Sequence, residues 1–319
     1  MEKVEFKNGV AYCGDALKIL EQIESDSVDS VITSPPYYQL RDYGFDGQWG
    51  LESDYKDYLD KMIDLMRELK RVLKPTGTMW VNLGDTYSTG QSGFGGRANS
   101  SAKQMSNKGS YTEGHNYDSD IPNKSLMLIP HRFAIRCIDE LGLILRNNII
   151  WAKPNAMPES TNDRFSKKHE YIFFFVKQKN YYFDLDSIKD KLIIQNAKGI
   201  KFGGNKSDGN TKGIYSGNEY DASKLIGKNP GDVTDLWNIP TKPNTKEHYA
   251  SYNNELIRKP LIAGSPINGI ILDPFGGTGT TCFSSLHYER RFIYIDANKE
   301  YYDNFIQEMN YQETQLKLF

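Results

Sequence analysis

The chain predicts an α/β protein built around a mainly parallel sheet, and two observations lead there. Short apolar runs at 28–33, 78–83, 269–272 and 291–295 alternate with segments whose apolar residues recur every three or four positions. That is the pattern of strands joined by helices. A glycine-rich turn, Asp273-Pro274-Phe275-Gly276-Gly277-Thr278-Gly279-Thr280-Thr281, sits between one such strand and the helix after it, and the next strand ends in an acid, Asp296.

Taken in order, 10–12 reads as a short strand ending at Gly14-Asp15, and 16–23 as an amphipathic helix. A buried strand at 28–33 runs into Ser34-Pro35-Pro36-Tyr37. Residues 55–73 carry the helical period and stop before Pro75 and Gly77. A strand at 78–83 follows. Residues 84–123 are rich in Gly, Ser and Asn and poor in aliphatics, so a long functional or disordered loop is expected there. Regular structure resumes as a helix at 127–141, then strands at 144–153 and 171–177. Residues 195–244 are polar again. Between 186 and 246 there are ten Lys against seven Asp or Glu, about +3 net. An inserted, mildly basic segment outside the sheet core is expected. The last third returns to α/β character, with helices at 253–263, up to 287 and over 299–311.

Composition narrows the classes. Of 319 residues, 38% are hydrophobic and 25% charged, which suits a globular protein. No run of 18 apolar residues occurs, so no membrane span is expected. The first residues lack the apolar core of a secretory signal, and a cytoplasmic protein is expected. Cys13, Cys137 and Cys282 are odd in number and far apart, which predicts neither a disulfide framework nor a zinc site. A net charge of −2 leaves room only for a local basic surface.

Three motifs carry chemistry. In 273–281, glycines let the backbone turn sharply and approach a ligand, and the helix start presents free N–H groups. No Lys follows the last Gly, so this is no P-loop, and the spacing is not GxGxxG. Asp296 stands where an acid can accept both hydroxyls of a ribose. In the loop 34–37, two prolines fix the backbone. The Ser34 hydroxyl and an exposed Pro carbonyl can accept hydrogen bonds from an –NH2 group, and Tyr37 offers a flat face to a base.

With Ser34-Pro35-Pro36-Tyr37 first and Phe275-Gly276-Gly277-Thr278-Gly279 last, the chain resembles the DNA amino-methyltransferases of the β class. Their catalytic loop reads (Asp/Asn/Ser)-Pro-Pro-(Tyr/Phe) and their cofactor loop Phe-x-Gly-x-Gly. The likeness extends to Gly14-Asp15-Ala16-Leu17, Leu40-Arg41-Asp42-Tyr43-Gly44, the stretches 71–75 and 146–154, and His169-Glu170-Tyr171. It implies a Rossmann-like class I methyltransferase fold, a mostly parallel seven-stranded sheet that is circularly permuted, with an inserted target-recognition region. On this reading 1–185 is the catalytic half, with a flexible loop at 84–124. Residues 186–246 are the recognition region and 247–319 the cofactor half.

The resemblance also implies roles. S-adenosyl-L-methionine would be the cofactor. Asp273, Phe275, Gly277, Gly279 and Thr280 would shape the pocket for its methionine part, and Asp296 would hold its ribose. Asp15, Ala16 and Leu17 would lie by its adenine. His248-Tyr249-Ala250-Ser251-Tyr252 matches a further cofactor stretch but departs from the usual Phe-Pro at its end. Ser34, Pro35, Pro36 and Tyr37 would be catalytic, in a direct transfer to an exocyclic nitrogen of an extruded base. No Cys follows a Pro, so the covalent chemistry of C5-cytosine enzymes is not expected. Ser at the first loop position is associated in the family mainly with cytosine N4, and Asp or Asn mainly with adenine N6. The partners implied are double-stranded DNA and, by way of a restriction-modification role, a cognate restriction endonuclease. Arg97, Lys103, Lys108, Arg164, Lys167 and Lys168 are candidate phosphate contacts. Alternatives are adenine N6, an RNA or protein-glutamine substrate, an idle DNA-binding module, or an unrelated nucleotide-binding enzyme such as a dehydrogenase.

Overall fold

The computed structural model describes residues 2–40, 42, 44, 47–88, 120–189, 234–241 and 253–316. Its strands are β1 (Glu2–Phe6), β2 (Gly9–Cys13), β3 (Val28–Thr33), β4 (Leu73–Leu83), β5 (Ile144–Ala152), β6 (His169–Val176), β7 (Leu236–Asn238), β8 (Ile270–Asp273) and β9 (Arg291–Asp296). Its helices are α1 (Ala16–Leu20), α2 (Tyr55–Val72), α3 (Ile129–Asp139), α4 (Asn254–Gly264), α5 (Thr280–His287) and α6 (Lys299–Leu316).

The strands form one sheet in the order β1-β2-β9-β8-β3-β4-β6-β5-β7. The central run β2-β9-β8-β3-β4 is parallel throughout, and β6 lies antiparallel between β4 and β5. The sheet is mostly parallel, as expected, but among the described residues it has nine strands rather than seven. Both additions are edge strands. β1 is a hairpin partner of β2 with little buried side-chain area, which is why no apolar run betrayed it. β7 comes from the polar segment 186–246, where no strand was expected. It pairs with β5, anchored by buried Trp237.

Alternation along the strands sorts the core onto two faces. Val31, Met79, Val81, Phe173, Phe175 and Leu272 point toward α1, α2 and α3. Ile32, Trp80, Ile172, Phe174 and Ile271 point the other way, toward α4. Phe292 and Tyr294 continue that second face under α6. Each fully buried side chain of this size contributes about 2 kcal/mol.

Three boundaries differ from the sequence reading for identifiable reasons. α1 ends at Leu20, not at 23, because its last turn tightens and Arg71 takes the Leu20 and Ile23 carbonyls. α3 starts at Ile129 because Leu128 is left-handed, with φ 56°. β4 begins at Leu73, directly after α2, with Pro75 inside it. The β3–β4 register shifts between Val28 and Ser30, so Pro75 falls in a bulge where the ladder needs no N–H.

Candidate active site

Four neighbouring strands, β2, β9, β8 and β3, run parallel and end on the same edge. Their C-terminal ends carry, in that order, Gly14-Asp15, Asp296, the loop 274–279 and the loop 34–37. Sheet topology thus gathers motifs separated by more than 200 residues of chain along one rim, where open α/β sheets hold ligands.

The glycine loop is held from β9. The Gly276 N–H donates to the Ile295 carbonyl at 2.8 Å, and Gly277 N–H to Asp296 Oδ2 at 2.7 Å. Tyr294 donates its hydroxyl to the Gly277 carbonyl at 2.8 Å. Gly279 has φ 79° and caps α5, and a Cβ there would lie 2.3 Å from the Phe305 ring, so only glycine fits. A Cβ on Gly277, in contrast, would meet nothing within 4 Å. The loop is packed on one side and open on the other, which fits a ligand laid along it.

Asp296 accepts from Gly277 with one oxygen and from the Asn298 N–H with the other, at 2.7 Å. Its carboxyl is pushed up to about 6 by burial. Each oxygen retains a second lone pair, the acceptor set that ribose hydroxyls require. Across the β2–β9 junction, Gly14 N–H bonds the Asp296 carbonyl at 2.9 Å, so Asp15 stands beside Asp296. The Asp15 side chain caps α1 at Lys18 N–H, 3.1 Å away. Ala16 is buried in the core and Leu17 packs against it. Thr280 begins α5, with its hydroxyl 3.2 Å from that of Thr278. Phe275 meets Trp49 edge-on at 5.3 Å. Glycine loop, acid and helix start together suit the nucleoside and methionine parts of S-adenosylmethionine.

Asp273 lies beneath the rim, 1% exposed. It accepts from Thr33 Oγ1 at 2.8 Å, Thr281 Oγ1 at 2.7 Å and the Phe275 N–H at 3.1 Å. Burial pushes its carboxyl up to about 6 against those three donors. It shapes the site from below, tying the residue before Ser34 to the glycine loop and to α5.

The loop 34–37 is fixed by side chains from afar. Tyr58 on α2 donates to the Pro36 carbonyl at 2.9 Å. The Tyr37 hydroxyl lies 2.8 Å from Glu170 Oε2 and 2.9 Å from Asn82 Oδ1, and Ser34 donates to it at 3.3 Å. Glu170 on β6 pairs with Lys153, whose ammonium sits over the Trp151 ring. Gly84 lets the Tyr37 ring approach, since a Cβ there would lie 2.7 Å from it. Pro35 is buried, while Ser34, Pro36 and Tyr37 are half-buried. Asn82, Lys153 and Glu170 went without a role in the sequence reading. Their signal was weak, for Lys153 and Glu170 stood only as letters inside the resembling stretches.

Of the candidate phosphate contacts, Arg164 is occupied by Glu159 and lies 3.8 Å over the Tyr87 ring. Lys167 is largely desolvated, donates to the Asp85 carbonyl, and its pKa is lowered by burial. Lys167 is thus tied to the protein, whereas Arg164 is exposed with its guanidinium paired to Glu159. Arg97, Lys103, Lys108, 248–252 and most of 195–244 lie outside the described residues. Among the described residues no group of three acids, His or Cys could hold a metal ion, and no helix is long and apolar enough to cross a membrane.

Known proteins resemble this chain over most of its length. A family model described as DNA methylase matches residues 28–308. The Type II methyltransferase M.Cfr9I of Citrobacter freundii is 33% identical, over 98% of this chain and 91% of its own. M.SmaI of Serratia marcescens is 36% identical, over 90% and 86%. Among solved structures, the cytosine-N4-specific PvuII DNA methyltransferase superposes with a TM-score of 0.62 at 18% identity, covering 94% of this chain and 86% of that one. TTHA0409 of Thermus thermophilus, solved with S-adenosyl-L-methionine, gives 0.55 at 20% identity, over 95% and 94%.

Proposed function

Since the chain belongs to the DNA methylase family, whose members methylate DNA from S-adenosylmethionine, we propose that it methylates the exocyclic N4 of cytosine within a specific double-stranded site. One observation carries the reading. The loop 34–37 and the loop 274–279 end adjoining strands and are fastened together by the Thr33–Asp273 hydrogen bond. A base amino group presented to the first loop therefore meets whatever lies along the second.

S-adenosylmethionine supplies an electrophilic methyl group when bound. Gly277, on the open side of the loop, with Gly279 and Thr280 would hold its methionine part, Asp296 would accept from its ribose, and Asp15 would flank its nucleoside end. Ser34 Oγ and the Pro35 carbonyl accept the two amino hydrogens, which favours a pyramidal nitrogen with an available lone pair. Tyr37 stacks on the extruded base. Holding nitrogen and methyl in line provides much of the acceleration. The family's association of Ser at the first loop position with cytosine N4, and of Asp or Asn with adenine N6, is the basis for cytosine.

Segment 186–246, mildly basic, reads the DNA sequence in this proposal. The enzyme works in the cytoplasm beside a restriction endonuclease of the same site. The test is to incubate the protein with unmethylated DNA and labelled S-adenosylmethionine, digest to nucleosides and weigh the products. N4-methylcytosine is expected, reduced on the order of 100-fold in Ser34→Ala. N6-methyladenine would reassign the base and keep the site, and no methylated base would defeat the reading.

A further inference from the structure

Serine can donate or accept, and its use against an amino group requires that it accept. The network behind Ser34 settles that polarity from the far end. Glu170 is 15% exposed at its side chain and faces three donors: the Lys153 ammonium, Asn82 Nδ2 at 3.3 Å and the Tyr37 hydroxyl at 2.8 Å. A carboxylate offers these groups only lone pairs. Tyr37 has a single hydroxyl proton and points it between two acceptors, Glu170 Oε2 and Asn82 Oδ1. Its oxygen therefore turns lone pairs toward Ser34, which donates across 3.3 Å. With its proton drawn inward, Ser34 presents lone pairs outward.

We propose that Glu170 is a positioning residue that fixes Ser34 as a hydrogen-bond acceptor, acting through the Tyr37 hydroxyl. This rests on the reading of Ser34 as the contact to the base amino group. A serine free to rotate could instead donate to the ring nitrogen next to the amino group. That would hold the base but leave the amino nitrogen conjugated. The chain of bonds running to Glu170 excludes that orientation, and a chain ending in a charge polarises each hydroxyl along it. Lys153 keeps Glu170 in place, and the Trp151 ring 4.2 Å away keeps Lys153 in place. The Tyr37 ring is not needed for this role, so stacking and polarity separate: a phenylalanine stacks equally well but cannot pass the bond on.

The experiment is a cycle of Tyr37→Phe, Glu170→Gln and the double variant, read as single-turnover methyl transfer at saturating DNA and cofactor. S-adenosylmethionine affinity and melting temperature are measured alongside. Each single variant is expected to slow transfer about tenfold, the worth of one hydrogen bond to a charged group, with cofactor affinity unchanged. The double variant is expected to be no slower than either single one, because in Glu170→Gln the Lys153 ammonium holds the amide oxygen and turns the amide N–H toward the Tyr37 hydroxyl, so that both variants act on the same chain. Losses that multiply would overturn the proposal, as would Tyr37→Phe transferring at the wild-type rate. The second result stands even where Glu170→Gln fails to fold. Absence of transfer by the wild-type protein defeats the methyltransferase reading itself; normal wild-type transfer with an unaffected Tyr37→Phe defeats only the role of Glu170.

Discussion

Hydrogen bonds around the glycine loop close over short stretches of chain: 8 residues from Thr281 to Asp273, 17 from Tyr294 to Gly277, 19 from Gly277 to Asp296. Around the loop 34–37 they span 22 residues to Tyr58, 45 to Asn82 and 133 to Glu170. The glycine loop is held by groups of one β-α-β unit, while the loop 34–37 is held by side chains from three other elements, α2, β4 and β6. A locally built loop forms wherever its unit forms. A loop tied at long range is correct only once the whole sheet is correct, and its geometry is open to change from many places. Among the described residues, the Asp273 carboxylate bonds to both sides.

The largest effect is therefore expected at Asp273. Asp273→Ala leaves three buried donors without an acceptor and should cost about 4 kcal/mol of stability along with activity. Asp273→Asn should cost only about 1 kcal/mol, because Oδ1 still accepts from Thr33 and Phe275 and the Thr281 hydroxyl can turn to accept. The pH dependence tests the same point. Burial raises the Asp273 and Asp296 carboxyls to about 6, against about 3.9 when unfolded. The folded state binds these protons more tightly, so both groups favour folding most at low pH and lose that contribution as pH rises from about 4 to about 6. In urea melts across that window, the stability of wild type relative to Asp273→Asn should fall with rising pH. A difference that stays flat would mean that Asp273 is not desolvated as its burial implies.

Next comes Gly84→Ala, which sharpens the comparison by touching one side only. The new Cβ would stand 2.7 Å from the Tyr37 ring, and a displacement approaching 1 Å at a reacting centre costs about 100-fold in rate. Turnover should fall by that order while S-adenosylmethionine affinity, measured by calorimetry, stays put. A parallel loss of affinity would show that the two sides are not independent.

The same contrast explains what could be read from the letters. The α/β class, the central strands and both loops were legible because each rests on local signals: apolar period, glycine at a positive φ, proline fixing a turn. Asp296 was legible because a strand end and a glycine loop lie 17 residues apart in sequence. Glu170, Lys153 and Asn82 were not, since nothing along the chain says that β6 will lie between β4 and β5. β1 and β7 were hidden because edge strands bury too little to leave a pattern. Asp273 was read as shaping the pocket for the methionine part; its bond to Thr33, 240 residues away, could not be read from the letters.

The smallest expected effects form a matched pair, one tyrosine hydroxyl on each side. Tyr58 donates to the Pro36 carbonyl at 2.9 Å and Tyr294 to the Gly277 carbonyl at 2.8 Å. Both are buried, and in each a phenylalanine keeps the ring and removes one bond to a loop carbonyl, worth about 1 kcal/mol. The chemistry removed is the same, so any difference in outcome reports on the loop. Tyr294→Phe should weaken S-adenosylmethionine binding about fivefold and leave single-turnover transfer at saturation untouched. Tyr58→Phe should do the reverse, slowing transfer about fivefold with binding unchanged. If both variants shifted both quantities alike, the rim would have to be regarded as one rigid unit, with the Thr33–Asp273–Thr281 tie coupling its halves more strongly than their separate construction implies.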